Sequence, residues 1–400
     1  MSIDLARVLA PIGVAEFQDE YLEKRPLVIS RGDPLYYADL LTLEGFDEIL
    51  STSHLRPADL RVVRDGQESA PGSRACSGAL GLEEVYAQYR EGSTIVLPFI
   101  HERCRALTEL CAALSAELSS GAQVNAYLTP RNAKGLGTHY DTHDVLVLQL
   151  AGHKHWRLFE PPLRLPLPGQ PFKKDEHPCD APLQEFDLHA GDALYLPRGF
   201  VHDVESGDST SLHLTVGLLP ITWAEVILAA VESAVEDDSR FRESLPPGFA
   251  TNADIGGHAE QQLAELLTHL TAAICTRSAM TNATAAAWSA TSAVLDRHLL
   301  DLESAGTATL DTPVRRRPSL RWRLAGDDAG ISLHFHGKRL TMPPCLEPDL
   351  RFIAAAERPF TGRCLPGHLD EDGRLVLVRR LLREGFLTAA GAPALPAAGG

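Results

Sequence analysis

The chemistry this sequence offers begins with His139 and Asp141, two positions apart in Gly137-Thr-His-Tyr-Asp. On an extended chain such residues point to the same face, roughly 6–7 Å apart at the backbone. Their side chains can therefore converge on one ion, and a further ligand is wanted from elsewhere. His202, in Ala193-Leu-Tyr-Leu-Pro-Arg-Gly-Phe-Val-His, follows a strand-like run and a Pro-Arg-Gly turn. In a jelly roll a late strand returns beside an early one, which places His202 to complete the set. Two imidazoles and one carboxylate on one face of a metal leave open positions opposite, the facial triad of non-haem Fe(II) oxygen chemistry. The same ligands also bind Mn, Co, Ni or Zn. His-x-Asp alone is a common coincidence, and an isolated His near a turn is more often a surface or core residue. The strand placement and the matching downstream His shift the balance. His143 competes with His202, because it shares the face of His139 and Asp141. Three ligands from one strand would have to bridge about 13 Å, which favours His202. His177, on a polar loop, and His189, before a turn, are weaker third ligands. His153 and His155 flank Lys154 and read as surface residues.

These residues need strands to hold them, and residues 121–220 read that way. Runs at 123–128, 145–150, 155–159, 193–196 and 211–218 are separated by turn signals such as Gly191-Asp192 and Pro197-Arg198-Gly199. Short strands at this spacing indicate an antiparallel sandwich or barrel, a jelly roll first among them. Residues 1–120 mix helices (17–23, 82–89, 105–118) with short strands (27–30, 60–64, 93–97), the second ending at Asp65-Gly66. Residues 221–300 turn helical. One apolar stripe runs through Trp223, Ile227, Ala230, Val231 and Ala234, and another through Leu263, Leu266, Leu267, Leu270 and Ile274. The alanine-rich stretch 283–293 continues this region. Residues 313–390 alternate as strands at 320–324 and 331–336 and as helices at 347–356 and 372–384.

Composition sets the outer limits. The chain has 400 residues, 44% hydrophobic and 22% charged, with a net charge of −16. That excludes a disordered, collagenous or coiled-coil chain, and the length calls for more than one core. The charge is uneven. Residues 315–390 hold 14 Lys+Arg and 9 Asp+Glu, leaving the rest strongly acidic. An acidic body is no general nucleic-acid coat but attracts a basic protein partner, and nucleic acid is left only the C-terminal module. The cysteines at 76, 104, 111, 179, 275, 345 and 364 are odd in number and lack a Cys-x-x-Cys pair. Neither a disulfide framework nor a thiolate zinc site is expected. With no apolar run long enough for a bilayer and no signal-like start, a cytoplasmic protein without membrane contact is expected.

The order and spacing of several motifs resemble the JmjC-domain oxygenases, and within them the ribosomal oxygenase group. The matching pieces are Asn125-Ala-Tyr-Leu-Thr-Pro, Gly137-Thr-His-Tyr-Asp, Asp144-Val-Leu-Val-Leu-Gln-Leu-Ala-Gly-His-Lys-His-Trp-Arg-Leu, Gly191-Asp-Ala-Leu-Tyr-Leu-Pro-Arg-Gly-Phe-Val-His and Ser211-Leu-His-Leu-Thr-Val-Gly. Tyr21-Leu-Glu-Lys-Arg-Pro-Leu-Val-Ile is similar as well. The resemblance implies an α+β chain with a double-stranded β-helix (jelly-roll, cupin-like) core. It divides the chain into an oxygenase domain at 1–220 with its core at 121–220, a helical dimerisation region at 221–312 and a winged-helix-like module at 313–390, while the Ala/Gly/Pro-rich composition of 391–400 predicts a flexible tail. It implies Fe(II) on His139, Asp141 and His202, with 2-oxoglutarate and O₂ as co-substrates. Lys154 would anchor the distal carboxylate, and Asn125, Tyr127 and His213 would line the co-substrate pocket. The distal carboxylate of a chelating 2-oxo acid does need a cation or hydroxyl several ångströms from the metal. Thr142-His143 departs from the acidic or small residues of many relatives, which bears on the substrate entrance. The implied activity is a 2-oxoglutarate-dependent dioxygenase that hydroxylates an Arg or His side chain of a ribosomal protein, working as a homodimer. A natural-product precursor peptide as substrate, N-methyl-lysine demethylation, and a non-catalytic metal- or metabolite-sensing winged-helix regulator are the alternatives.

Overall fold

In a computed structural model of the chain, residues 4–69, 81–177, 181–289, 295–317, 320–327, 330–336 and 338–390 are described. Cys76, Cys179 and the 391–400 tail lie outside them, and the other five cysteines are free. The chain forms two compact units, residues 1–219 with 291–400 and residues 220–290.

Eleven strands of the larger unit build the site: β1 (Leu27–Ile29), β2 (Arg61–Arg64), β3 (Gln67–Ser69), β4 (Thr94–Leu97), β5 (Gly121–Thr129), β6 (Asp144–Ala151), β7 (His153–Phe159), β8 (Gln184–His189), β9 (Ala193–Leu196), β10 (Val201–Ser206) and β11 (Ser211–Leu219). One sheet runs β1-β9-β6-β11-β5-β4-β2-β3, and a second runs β10-β7-β8, all antiparallel. Val145, Val147, Leu194 and Leu196 of the first sheet pack against Trp156, Leu158 and Leu188 of the second. This two-sheet sandwich is the expected jelly-roll core.

The large sheet is covered on its other face too, and the sequence shows why. Leu146, Leu148, Leu212, Leu214 and Val216 join one core with Leu107, Leu110 and Leu114 of the helix Arg105–Leu118. A strand buried on both faces reads as a continuous apolar run, as in Val145-Leu-Val-Leu. On β5 the faces differ. Val124 and Ala126 are fully buried toward the helices, while Asn125 and Tyr127 alternate onto the inner face.

Two strands of the core, β8 and β10, escape a reading by hydrophobic pattern. Gln-Glu-Phe-Asp-Leu-His at β8 is a largely exposed edge strand, and Val-His-Asp-Val-Glu-Ser at β10 is polar. Charged edges blunt unwanted strand pairing, so a polar edge strand is stable without an apolar signature.

Farther along the same unit lie β12 (Val314–Arg316), β13 (Trp322–Asp327), β14 (Gly330–Phe335), β15 (Lys338–Met342) and β16 (Leu387–Ala389). They form a β12-β16 pair and a β13-β14-β15 sheet. With the helices Glu347–Ala355 and Glu371–Glu384 they enclose a second core around Leu333, Phe335, Ile353, Leu381 and Phe386. Ala305 and Ala308, ahead of residue 313, contribute to that core. The 220–290 unit is built of the helices Trp223–Asp237, Ala253–Ala273 and Thr276–Ser289. Its buried residues, among the described ones, are the alanines 234, 259 and 287, while Trp223, Ile227, Leu263 and Leu267 of the two stripes stand exposed. Among the described residues no helix is long and apolar enough to cross a membrane.

Candidate metal and co-substrate site

A cavity of about 330 Å³ opens between the two sheets. His139, Asp141, His202, Lys154, Asn125, Tyr127 and His213 all line it. Residues spread over almost ninety positions of sequence thus meet because β5, β6, β7, β10 and β11 wrap round one space.

His139 and His202 are joined by an isolated antiparallel bridge. The His202 N–H donates to the His139 carbonyl at 2.8 Å, and the His139 N–H to the His202 carbonyl at 3.2 Å. Their rings lie 4.4 Å apart. One Asp141 oxygen is 4.0 Å from His139 Nε2, and the other is 3.8 Å from His202 Nε2. The three prospective ligand atoms lie within 4.8 Å of one another, the only such group among the described residues. Each ring is oriented by backbone. His139 Nδ1–H donates to the Gly137 carbonyl at 2.7 Å, and His202 Nδ1–H to the Phe200 carbonyl at 3.2 Å. A carbonyl only accepts, so Nδ1 carries the proton and Nε2 keeps its lone pair for a metal. Burial, then the neighbouring His139, push the His202 pKa down, which keeps that ring neutral.

Lys154 is the second element of the site. Its side chain is buried on β7, and no carboxylate pairs with it among the described residues. Burial pushes its pKa down to about 7. Trp156 Nε1 and His213 Nδ1, which line the same cavity from the two facing sheets, are buried without hydrogen-bond partners among the described residues. The His213 ring stacks on Tyr127 at 4.7 Å, and burial, then Lys154, hold it well below the usual histidine range. The Tyr127 hydroxyl is pushed up to about 12 by burial and then by Asp141. Asn125 Oδ1 accepts from the Phe99 N–H at 3.1 Å. A buried ammonium and two orphaned nitrogens are costly unless an anionic ligand satisfies them. Two imidazoles and one carboxylate suit a divalent ion that keeps open positions. The donor set and the orphaned nitrogens therefore fit a metal together with an anionic chelator.

The turn leading to His202 is fastened by a buried ion pair. The Arg198 backbone N–H donates to Asp144 Oδ1 at 2.8 Å, and its guanidinium reaches Asp144 at 3.2 Å and Glu23 at 2.5 Å. The Tyr195 hydroxyl donates to the other Asp144 oxygen at 3.2 Å. Removing one partner of a buried pair strands the other charge. Arg198→Ala is therefore expected to cost about 3–5 kcal/mol, read by urea unfolding. A loss below about 1 kcal/mol would show that Asp144 is satisfied without the guanidinium.

The competing histidines go elsewhere. His143 lines the cavity, beside Gly217 of β11, but does not join the three-ligand group. His177 packs with Tyr140 and Phe172, and His189 stacks on His153. His155 pairs with Asp187 and Glu185 outside the cavity. Trp156, Arg61 and Thr94 are among the lining residues not singled out from the sequence. Trp156 was legible, two positions from Lys154 on one strand face. Arg61 and Thr94, on β2 and β4, arrive only through the way the sheet is extended at its edge.

Residues 99–226 match the family model described as the JmjC domain. The chain is 32% identical over 252 residues to "Ribosomal oxygenase 1" of Gallus gallus, covering 60% of this chain and 41% of that protein. It is 32% identical over 260 residues to the "Bifunctional lysine-specific demethylase and histidyl-hydroxylase NO66" of Dictyostelium discoideum, covering 61% and 49%. The matched region thus spans at most about half the length of these relatives. Among solved structures, E. coli ycfD aligns over 94% of this chain and 98% of its own, at 19% identity and a TM-score of 0.58. YcfD in complex with cobalt and 2-oxoglutarate aligns over 95% and 99%, at 18% identity and a TM-score of 0.54. At these identities the structural likeness establishes a shared fold. This chain carries a JmjC domain, and the His139–Asp141–His202 cluster lies inside it.

Proposed function

We propose that this chain is an Fe(II)- and 2-oxoglutarate-dependent protein hydroxylase acting on an Arg or His side chain of a ribosomal protein. One observation carries the reading: a two-histidine, one-carboxylate cluster shares its cavity with a buried lysine that has no counter-charge among the described residues. A metal site alone does not explain Lys154. A dicarboxylate that chelates the metal at one end and needs a cation for the other does. In this reading His139, Asp141 and His202 hold the metal, and Lys154 takes the distal carboxylate. Asn125, Tyr127 and His213 line the co-substrate.

Bound iron and 2-oxoglutarate together supply the oxidising power to hydroxylate a carbon with O₂, releasing succinate and CO₂. The chain's own residues position and protect. The Gly137 and Phe200 carbonyls hold both imidazoles in the ligating tautomer, and the apolar Val145, Val147 and Trp156 exclude water. No side chain is assigned as a separate acid or base. The relatives' printed names support a ribosomal and histidyl target, and the acidic body suits a basic protein.

The reading extends to the rest of the chain. The exposed apolar side chains of Trp223, Ile227, Leu263 and Leu267 support a homodimer through 220–290. Light scattering is expected to give twice the 43.4 kDa chain mass, and a clean monomer would reject the dimer. The three-stranded sheet and helices after residue 313 support a winged-helix-like module.

The test is aerobic incubation with Fe(II), 2-oxoglutarate and the host's ribosomal proteins. Succinate release is expected, together with a one-oxygen mass increase on one of them. Unchanged masses in cells with and without the gene would remove ribosomal proteins as the target.

A further inference from the structure

The segment leading into His139 is held from two sides. On one side it runs beside β10, with Lys134 bridged to Glu205 and its ammonium 2.5 Å from Asp203. On the other side is the tip of the β2–β3 hairpin. There the Asp65 N–H donates to the Lys134 carbonyl at 2.9 Å, and the Gly66 N–H to the Gly135 carbonyl at 2.8 Å. Gly66 has a φ of +77°, and a Cβ built on it would meet the Cα and N of Gly137 at 3.2 Å. The Gly137 carbonyl is the group that accepts from His139 Nδ1–H.

We infer that Gly66 is a positioning residue for the metal centre: its bare backbone lets the hairpin tip close on Gly137, whose carbonyl orients His139. This rests on His139 being a metal ligand. At 3.2 Å a new Cβ forces the glycine segment to give by a few tenths of an ångström. Ligand sites tolerate about 0.5 Å. A shift of that order, passed to the Gly137 carbonyl, weakens the bond that fixes the imidazole tautomer and ring plane. The hairpin thus acts on the site from more than seventy residues upstream, through backbone alone.

The test titrates Co(II) into the purified full-length chain and follows both affinity and the visible absorption of the bound ion. Gly66→Ala and Gly66→Asn are compared with Gly32→Ala. Gly32 has a similar φ of +68° but nothing within 4 Å of its Cβ, so it carries the backbone strain without the contact. Both Gly66 variants are expected to weaken Co(II) binding about 10–100-fold and to alter the spectrum. Gly32→Ala is expected to lower the melting temperature but to keep the wild-type affinity and spectrum. Asn tolerates the left-handed region better than Ala, so Gly66→Asn carries the test where Gly66→Ala fails to fold. Wild-type affinity and spectrum in Gly66→Asn would overturn the inference. Absence of Co(II) binding by the wild-type chain would instead overturn the ligand assignment, and the inference with it.

Discussion

Asp141→Ala is expected to abolish substrate-coupled succinate release and to weaken Mn(II) binding by more than about 100-fold, beyond the usual cost of altering an outer-shell partner. Asp141 is the only carboxylate of the cluster, with its two oxygens at 4.0 and 3.8 Å from the two imidazole Nε2 atoms. Without it, two imidazole rings 4.4 Å apart would have to hold a dication with no carboxylate in the cluster to offset its charge. Electron paramagnetic resonance of bound Mn(II) reads the affinity independently of turnover. The fold should survive, because Asp141 is partly exposed and belongs to none of the three apolar cores. Full turnover and unchanged Mn(II) affinity in a folded variant would remove Asp141 from the site.

Lys154→Met is expected to act in opposite directions on binding and on stability. It should raise the KM for 2-oxoglutarate by more than about 100-fold, the order of a lost charge-assisted bond at a buried site. At pH 6–7 it should also raise the melting temperature of the ligand-free protein by a few degrees. The sign follows from linkage. The ammonium titrates at about 7 in the folded chain against an ordinary 10.5, so between those values the unfolded chain binds more protons. Stability therefore rises with pH across that window, and the penalty is at its full size below about pH 7. Methionine removes the penalty, so its advantage over the wild type should shrink toward pH 10.5. Binding has a matching signature. A bound carboxylate raises the Lys154 pKa, so protons are taken up on binding and 2-oxoglutarate affinity should fall as pH rises above about 7. Calorimetry across that range reads both effects, and equal 2-oxoglutarate affinity in the Met variant would exclude Lys154 as the anchor.

Much of this site was legible before any fold was known. Extended-chain periodicity predicts His139 and Asp141 on one face, and the structure brings them together on a non-strand segment ahead of β6, whereas strand periodicity does put Lys154 and Trp156 on one face of β7. The alternation Asn125-x-Tyr127 does the same for β5. These are local facts, because side-chain direction on a strand depends on position parity and on nothing distant. The jelly roll was also legible, since β6, β9 and β11 are buried on both faces and their apolar runs show it. The polar strands β8 and β10 were not, because an edge strand needs no apolar signature.

Other features were decided only by the tertiary structure. The sequence does not say that Lys154 is buried without a carboxylate beside it, since burial and pairing belong to the closed sandwich. Nor does it say that His143, on the same parity as His139 and Asp141, stays out of the ligand group while His202 enters it. That choice is made by the isolated antiparallel bridge between residues 139 and 202, which ties the non-strand segment ahead of β6 to β10, far away in sequence. Arg61 and Thr94 reach the cavity, and the Gly66 tip reaches Gly137 of its lining, by extension of the large sheet through β4, β2 and β3. Strand parity tells which way a residue points; only the pairing of remote strands tells what it meets there.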